Sequence, residues 1–431
     1  MKYVIKSIAV IGSGTMGAGI AAIAAEKNLQ VVLLDTDSEI AIKAKKKILD
    51  PKYRMLSNIE KGNNIYVGNI RDDLIKIKDC DWICEAVVEK LDIKKQIFSS
   101  IEKFRNKNSI VSSNTSGIPL RAITEDLSED FKKNICITHF FNPVSIMKLC
   151  ELIPGTTTEE GIIETLSNFL REEFDKGVVF GKDTVNFIGN RIGCYFMLRG
   201  LHEGKKARMN GIKIDEIDAI LSKPFGLPPT GLYGLIDLIG LDIMYSVGNN
   251  LKDNLPAGDL GKDFVTLPEK ELSLYNKGQL GRKTGGGFYR INKDTSGEKI
   301  KEVFDLELEE WKKIQKFNYD KDRNIFNKNT KISDFAWEVI GSTLLYAADL
   351  VPEISNDILN VDRAMKWGFA WEKGPFEMLD DFDPYNILDI CENKNIHIPT
   401  MLKVLETSGE KKFYNENNEF LNINGEYEPI Y

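Results

Sequence analysis

Through the first 185 residues, short apolar runs alternate with segments of helical period. Ser7–Ile11 (SIAVI) and Gln30–Asp35 (QVVLLD) read as strands, and Met16–Glu26 (MGAGIAAIAAE) between them is rich in small helix formers. Together they make a βαβ unit of about 30 residues. Further strands are predicted at Asp81–Val88, Ser109–Ser113, Asn134–Phe141, Lys148–Ile153 and Gly177–Phe180, with helical stretches such as Lys90–Lys103 between most of them. Regular alternation of this kind implies a parallel, doubly wound sheet, so residues 1–185 are expected to form one Rossmann-type α/β domain.

Past residue 185 the period changes. Phe187–Lys205 and Lys213–Leu221 read as helices and no strand series follows, so residues 186–290 are expected to form a helical domain. It closes at Gly281–Tyr289 (GRKTGGGFY), where the glycines require a tight, irregular turn. Residues 291–332 are polar and read as a linker with some helix around Leu306–Phe317. Residues 333–431 repeat an earlier theme. Asp218–Asp237 (DAILSKPFGLPPTGLYGLID) and Asp362–Asp380 (DRAMKWGFAWEKGPFEMLD), 144 residues apart, share a short helix, Phe and Gly, a proline turn, and a second helix ending in Asp. The fold class is therefore α/β, a doubly wound sheet followed by two related all-α domains.

Composition narrows the classes. A chain of 431 residues with 42% hydrophobic and 28% charged positions has an ordinary globular balance and room for two or three domains, not a disordered or fibrous one. The net charge of −8 argues against a nucleic-acid binder. Six Cys without a CxxC pair give neither a zinc framework nor a dense disulfide scaffold, which suits a reducing compartment such as the cytoplasm. No apolar run of about 18 residues predicts a membrane span, and the N-terminus passes into a glycine-rich loop without a cleavage site.

Gly12-Ser13-Gly14-Thr15-Met16-Gly17 is G-x-G-x-x-G between a predicted strand and a predicted helix, with Asp35 following 18 positions after its last glycine. Gly12 permits the tight turn, Gly14 lets a pyrophosphate approach, and Gly17 lets helix and strand pack closely. The helix N-terminus, opening at Thr15 and Met16, offers free N–H groups to phosphates. Asp35 suits the ribose hydroxyls and would repel a 2′-phosphate, so NAD is favoured over NADP; FAD is the competing cofactor, and a glycine-rich turn without ligand is the bland alternative.

The chain holds three His, at 139, 202 and 397. His139 lies in a strand-like segment that breaks at Asn142-Pro143, and Glu151 lies in the next strand. If the two form a hairpin symmetric about Ser145, His139 and Glu151 are directly opposed, close enough for a carboxylate to bond one imidazole nitrogen and leave the other for a substrate proton. A purely structural carboxylate cap on the His is the alternative. His202 and His397 sit in polar segments and read as solvated.

With these residues in place, IGSGTMGAGIA, Val111–Ser116 (VSSNTS), His139–Glu151 (HFFNPVSIMKLCE), Lys182–Arg191 (KDTVNFIGNR) and Gly281–Tyr289 together resemble the L-3-hydroxyacyl-CoA dehydrogenases of fatty-acid β-oxidation. The resemblance covers nearly the whole chain and is strongest to the dehydrogenase region of long bacterial β-oxidation proteins, in which an enoyl-CoA hydratase domain follows. This chain reaches Tyr431 with no such segment, so hydratase activity is not expected, and either a truncated gene or a separate hydratase or thiolase partner is implied. The resemblance implies NAD-dependent oxidation of an (S)-3-hydroxyacyl-CoA. It makes His139 the base, Glu151 its partner, Ser116 and Asn190 holders of the substrate oxygen, and Glu89 and Lys94 residues of the cofactor site. No metal is implied.

Plainer readings remain: a turn serine, a surface asparagine, and an exposed Glu–Lys pair. Lys43 and Lys45–Lys47 either meet CoA phosphates or form a solvated helix face. The chain departs from the family at Val185-Asn186, where Pro-Gly is common, and at Gly226–Pro229. A free hydroxy acid as substrate, or a non-catalytic subunit, are the rival functions. The second helical copy is expected to fill the place of a dimer partner, giving a monomer-like unit.

Overall fold

The computed structural model describes residues 4–293 and 296–430; residues 1–3, 294–295 and 431 lie outside the described residues, including the chain end and two positions of the expected linker. The chain divides into two compact units: residues up to Ile188 together with Glu353–Asn356, and Gly189–Pro352 together with the residues from Asp357 onward.

The first unit is built on an eight-stranded sheet. Its strands are β1 Ser7–Ile11, β2 Gln30–Asp35, β3 Ile65–Asn69, β4 Trp82–Glu85, β5 Ile110–Ser113, β6 Ile135–Phe140, β7 Leu149–Pro154 and β8 Gly177–Phe180, in the spatial order 3-2-1-4-5-6-7-8. β1 to β6 pair in parallel, β7 runs antiparallel to β6, and β8 is parallel to β7. The alternation inside β1 explains the layers. Ile8 and Val10 join the core under the first helix, α1 (Thr15–Glu26), whereas Ala9 and Ile11 join the opposite core, covered by Phe98 and Ile101 of the Leu91–Phe104 helix. β3 is missing from the expectation because its short run (IYVGN) lies among Asn and Gly residues that read as loop.

In the second unit, the expected helix over Phe187–Lys205 is observed as Gly189–Met209, and Lys213–Leu221 as Ile214–Ile220. The 291–332 segment corrects the expectation of a linker with helix around Leu306–Phe317. Tyr289–Lys293 (β9), Lys299–Asp305 (β10) and Glu310–Lys313 (β11) instead form an antiparallel sheet. The cause is a cross-strand stack: the Trp311 ring lies 5.0 Å from Phe304 and 4.2 Å from the Arg290 guanidinium.

The repeated theme is a repeated structure. Asp218 accepts hydrogen bonds from Tyr233 N (2.7 Å), Gly234 N (3.0 Å) and Tyr289 Oη (2.7 Å). Asp362 accepts from Phe376 N (2.8 Å), Glu377 N (3.0 Å) and Tyr414 Oη (2.8 Å). Asp237 then holds Phe288 N and Tyr289 N at 2.8 and 2.7 Å, as Asp380 holds Phe413 N and Tyr414 N at 2.7 and 2.9 Å. Each copy thus ties a helix start and a distant tyrosine to one buried carboxyl. Although these bonds favour the ionised form, burial outweighs them and pushes the pKa of Asp218 up to about 7 and that of Asp362 up to about 8.

Gly374 sits so close to Asp362 that an added Cβ would collide with the Asp362 Cα. Because its φ is an ordinary −75°, the constraint is purely steric. Gly374→Ala is expected to lower stability by about 1–3 kcal/mol, read as a lower urea midpoint with an unchanged slope.

Candidate functional site

β1 ends at Ile11 and the glycine loop carries the chain into α1. Gly12 has φ +100°, and a Cβ there would lie 2.5 Å from Ala86 O; a Cβ on Gly17 would collide with the Gly12 carbonyl. The space beside Gly14 is open, with nothing within 4 Å of its would-be Cβ. Two glycines therefore serve the fold and the third leaves room for a ligand's backbone approach. No side chain caps the α1 N-terminus, whose N–H groups and positive dipole end are available to a pyrophosphate. Asp35 does more than the sequence implied. Its Oδ2 accepts from Ser13 N and Ser13 Oγ, both at 2.7 Å, and its Oδ1 from Thr36 N at 2.7 Å. It braces the loop while its remaining lone pairs suit ribose hydroxyls. The sheet order reverses between β1 and β4, the position at which open α/β sheets bind ligands. These features fit a dinucleotide.

His139 and Glu151 are paired directly in the β6–β7 register, as the symmetric hairpin requires. His139 Nδ1 lies 2.6 Å from Glu151 Oε2, and Glu151 Oε1 accepts from Ile188 N at 3.1 Å. Both side chains are buried, at 4% and 0% exposure. With Nδ1 engaged, Nε2 is the nitrogen left to exchange a proton with a substrate. The ring is walled by Phe141 at 4.5 Å and Phe187 at 5.7 Å. The turn between the strands is clamped from beneath by buried Lys176, whose Nζ donates to Val144 O and, at 2.8 Å, to Met147 O. Burial pulls the Lys176 pKa below its ordinary value.

Glu89 and Lys94 do not form an exposed pair. Lys94 is 1% exposed and bridges two carboxylates, Glu85 at 2.7 Å and Glu89 at 3.2 Å, the first at 0% and the second at 38% exposure. Glu85, which the sequence reading passed over, accepts from Val87 N (2.7 Å) and Ser113 Oγ (2.5 Å) as well. Glu89 Oε1 accepts from Thr115 Oγ1 (2.6 Å), Ser116 N (2.9 Å) and Gly117 N (3.2 Å), so it fixes the loop that presents Ser116. Burial raises the Glu89 pKa, but the Lys94 charge and these hydrogen bonds outweigh it and hold the carboxyl below its ordinary value. A lysine in the first turn of the Leu91–Phe104 helix opposes the dipole, and the two acids compensate it.

Ser116 is exposed after β5 in the first unit. Asn190 is the second residue of the Gly189–Met209 helix, in the second unit. His202 Nε2 bonds Thr266 O at 2.7 Å, and exposed His397 lies 3.4 Å from Asp349; neither belongs to a comparable pair. His202 is thus more tied to the protein than a solvated reading implies. Lys43, Lys46 and Lys47 are exposed on the Ser38–Leu49 helix, whereas Lys45 bonds Ile65 O at 2.5 Å. At the Val185-Asn186 departure, Asn186 adopts φ +60°, a conformation Asn tolerates in place of Gly. Phe187 follows at φ +51°, a strain of about 1–2 kcal/mol for a bulky residue, retained where its ring meets His139. Among the described residues no group of three or more His, Cys, Asp or Glu could hold a metal.

The family model described as the 3-hydroxyacyl-CoA dehydrogenase NAD-binding domain matches residues 7–184, and that of the C-terminal domain matches residues 187–291. A probable 3-hydroxyacyl-CoA dehydrogenase of Deinococcus radiodurans is 37% identical over 297 residues, covering 67% of this chain and 84% of that protein. A putative fatty acid oxidation complex trifunctional enzyme of Rickettsia prowazekii is 35% identical over 434 residues, covering 98% of this chain and 60% of that protein. The chain spans 56–60% of the length of such longer relatives. The crystal structure of 3-hydroxybutyryl-CoA dehydrogenase from Escherichia coli K12 shares the fold, with a TM-score of 0.71 and 22% identity over 94% of this chain and all of that one. The NAD-binding match identifies the cofactor as NAD.

The open space at Gly14 separates binding from stability. Gly14→Ala is expected to leave the melting temperature nearly unchanged while weakening NAD binding at least about tenfold, about 1.4 kcal/mol. Gly17→Ala should lower the melting temperature itself, and paired thermal melts and fluorescence titrations distinguish the two.

Proposed function

The chain belongs to the 3-hydroxyacyl-CoA dehydrogenase family, and on that premise we propose that it oxidises (S)-3-hydroxyacyl-CoA to 3-oxoacyl-CoA in fatty-acid oxidation or a related acyl-CoA pathway. Bound NAD supplies the acceptor for the hydride leaving C3. His139 Nε2 takes the hydroxyl proton. Glu151, 2.6 Å from Nδ1, fixes the tautomer and stabilises the imidazolium that forms. Ser116 and Asn190 hold the 3-oxygen as its charge develops. The observation that carries this reading is the buried His139–Glu151 pair: burial of an ionisable couple is costly, and this one lies in the same sheet as a loop shaped for a dinucleotide.

The remaining features extend the proposal. The second helical copy stands in for a dimer partner, so the chain acts as a monomer. Six buried, free cysteines support a reducing compartment such as the cytoplasm. Among the described residues no single helix is long and apolar enough to cross a membrane.

His139→Gln should lower kcat for 3-hydroxybutyryl-CoA about 10²–10⁴-fold while leaving NAD affinity intact. Near wild-type NADH production by that variant overturns the assignment; turnover of free 3-hydroxybutyrate instead of the CoA ester redirects it to another substrate. Light scattering is expected to report the mass of a single chain, and a dimer would contradict the role given to the second copy.

A further inference from the structure

Glu85 is a fully buried carboxylate with no part in the steps above. It shares Lys94 with Glu89, so two carboxylates meet one ammonium and the cluster carries one net negative charge. Glu85 and Lys94 are 0% and 1% exposed, and water screens neither. Its place in the crevice follows from the sheet. Asp35 ends β2 on one side of the switch point, where it suits the adenosine ribose, and α1 takes the pyrophosphate at the centre. The nicotinamide half must then extend to the other side, over the ends of β4 and β5. Glu85 ends β4, and Glu89 holds the residues that follow β5.

The oxidised nicotinamide ring carries a positive charge. Accepting a hydride, a proton with two electrons, makes it neutral. A fixed negative charge beside it therefore distinguishes the two forms of the cofactor. We infer that Glu85, acting through Lys94 and Glu89, is a specificity-determining residue that biases the site toward oxidised over reduced NAD. The inference rests on the NAD reading of the site. Its consequence for oxidation is that the oxidised cofactor is held more tightly than it would be in a neutral crevice, and so competes better with the reduced form for the site.

The near-isosteric Glu85→Gln keeps acceptors for Val87 and Lys94 and lets the new amide donate to Ser113, while it neutralises the cluster. The Kd values of NAD⁺ and NADH are measured separately by calorimetry on the full chain. The expected result is a rise of about threefold or more in Kd for NAD⁺ with Kd for NADH changed by less than about twofold. The double variant Glu85→Leu/Lys94→Met removes one charge of each sign and should restore the wild-type ratio of the two constants. Parallel weakening of both forms by Glu85→Gln means a merely structural role and overturns the inference, as does no change in either. Should Glu85→Gln not fold, Glu89→Gln makes the same charge change at a partly exposed side chain, and an unaltered ratio there is equally decisive. Failure of the wild-type chain to bind either form would instead overturn the NAD reading itself.

Discussion

A carboxylate taken fully out of water costs several kcal/mol unless its oxygens are met, and Glu151 is at 0% exposure. One oxygen is met by His139 Nδ1 and the other by Ile188 N. That pairing exists because β7 runs antiparallel to β6, which places residue 151 opposite residue 139. Parallel strands joined by crossover helices would not bring two nearby positions of the sequence face to face. The reversal of sheet direction at β7 is thus what assembles this buried His–Glu pair from one short hairpin. A shift of one residue in register would turn Glu151 to the opposite face of the sheet. The turn is correspondingly well fastened, with the Lys176 ammonium on two of its carbonyls.

The same rule, that buried charge must be answered locally, organises the rest of the molecule. Beside the nucleotide loop, Lys94 answers Glu85 and Glu89 together. In the second unit, Asp218 and Asp362 are answered only in part, by backbone N–H groups and a tyrosine hydroxyl, and burial pushes the pKa of both carboxyls upward. Arg191, 1% exposed, is answered by Asp259 and by Tyr346 Oη at 2.6 Å. Such groups add little net stability when compared with apolar replacements, but each fixes a distance between elements that are remote in sequence.

Much of this was legible in the sequence where period and chemistry agree. β1, β2 and β8 have the expected limits, because each run is followed at once by a loop residue, Gly12, Thr36 and Gly181. The His139–Glu151 pairing followed from equal spacing about Ser145, a purely geometric argument. The duplicated helical unit was visible as repeated Phe, Gly and Asp positions, although the tyrosines that complete each copy, Tyr289 and Tyr414, lie too far along the chain for a local pattern to show. Glu85 was passed over because one acid inside an apolar run looks like a tolerated exception; its importance comes from Lys94, nine positions later and across a loop. β10 and β11 were missed because their alternating charges hide the period, and the aromatic stack that holds them needs three strands to exist.

That small sheet and the residues after it are fastened to the helices around them. Gln315 N donates to Asp215 at 2.7 Å, Tyr319 Oη to Glu216 at 2.7 Å, and Lys321 Nζ to Glu372 at 2.6 Å. Phe326 then sits 6.2 Å from Phe225 of the first copy and 4.5 Å from Phe382 of the second. The segment works as a strap that belongs to both copies. The family likeness of the first helical domain stops at residue 291, short of the strap that packs on it. Excising the chain at that point would strip Val303, Phe304 and Leu306 from their neighbours and leave Asp215 and Glu216 without these partners. The second copy therefore brings a dependence with it, because the strap that completes the first helical domain is the same segment that holds the second.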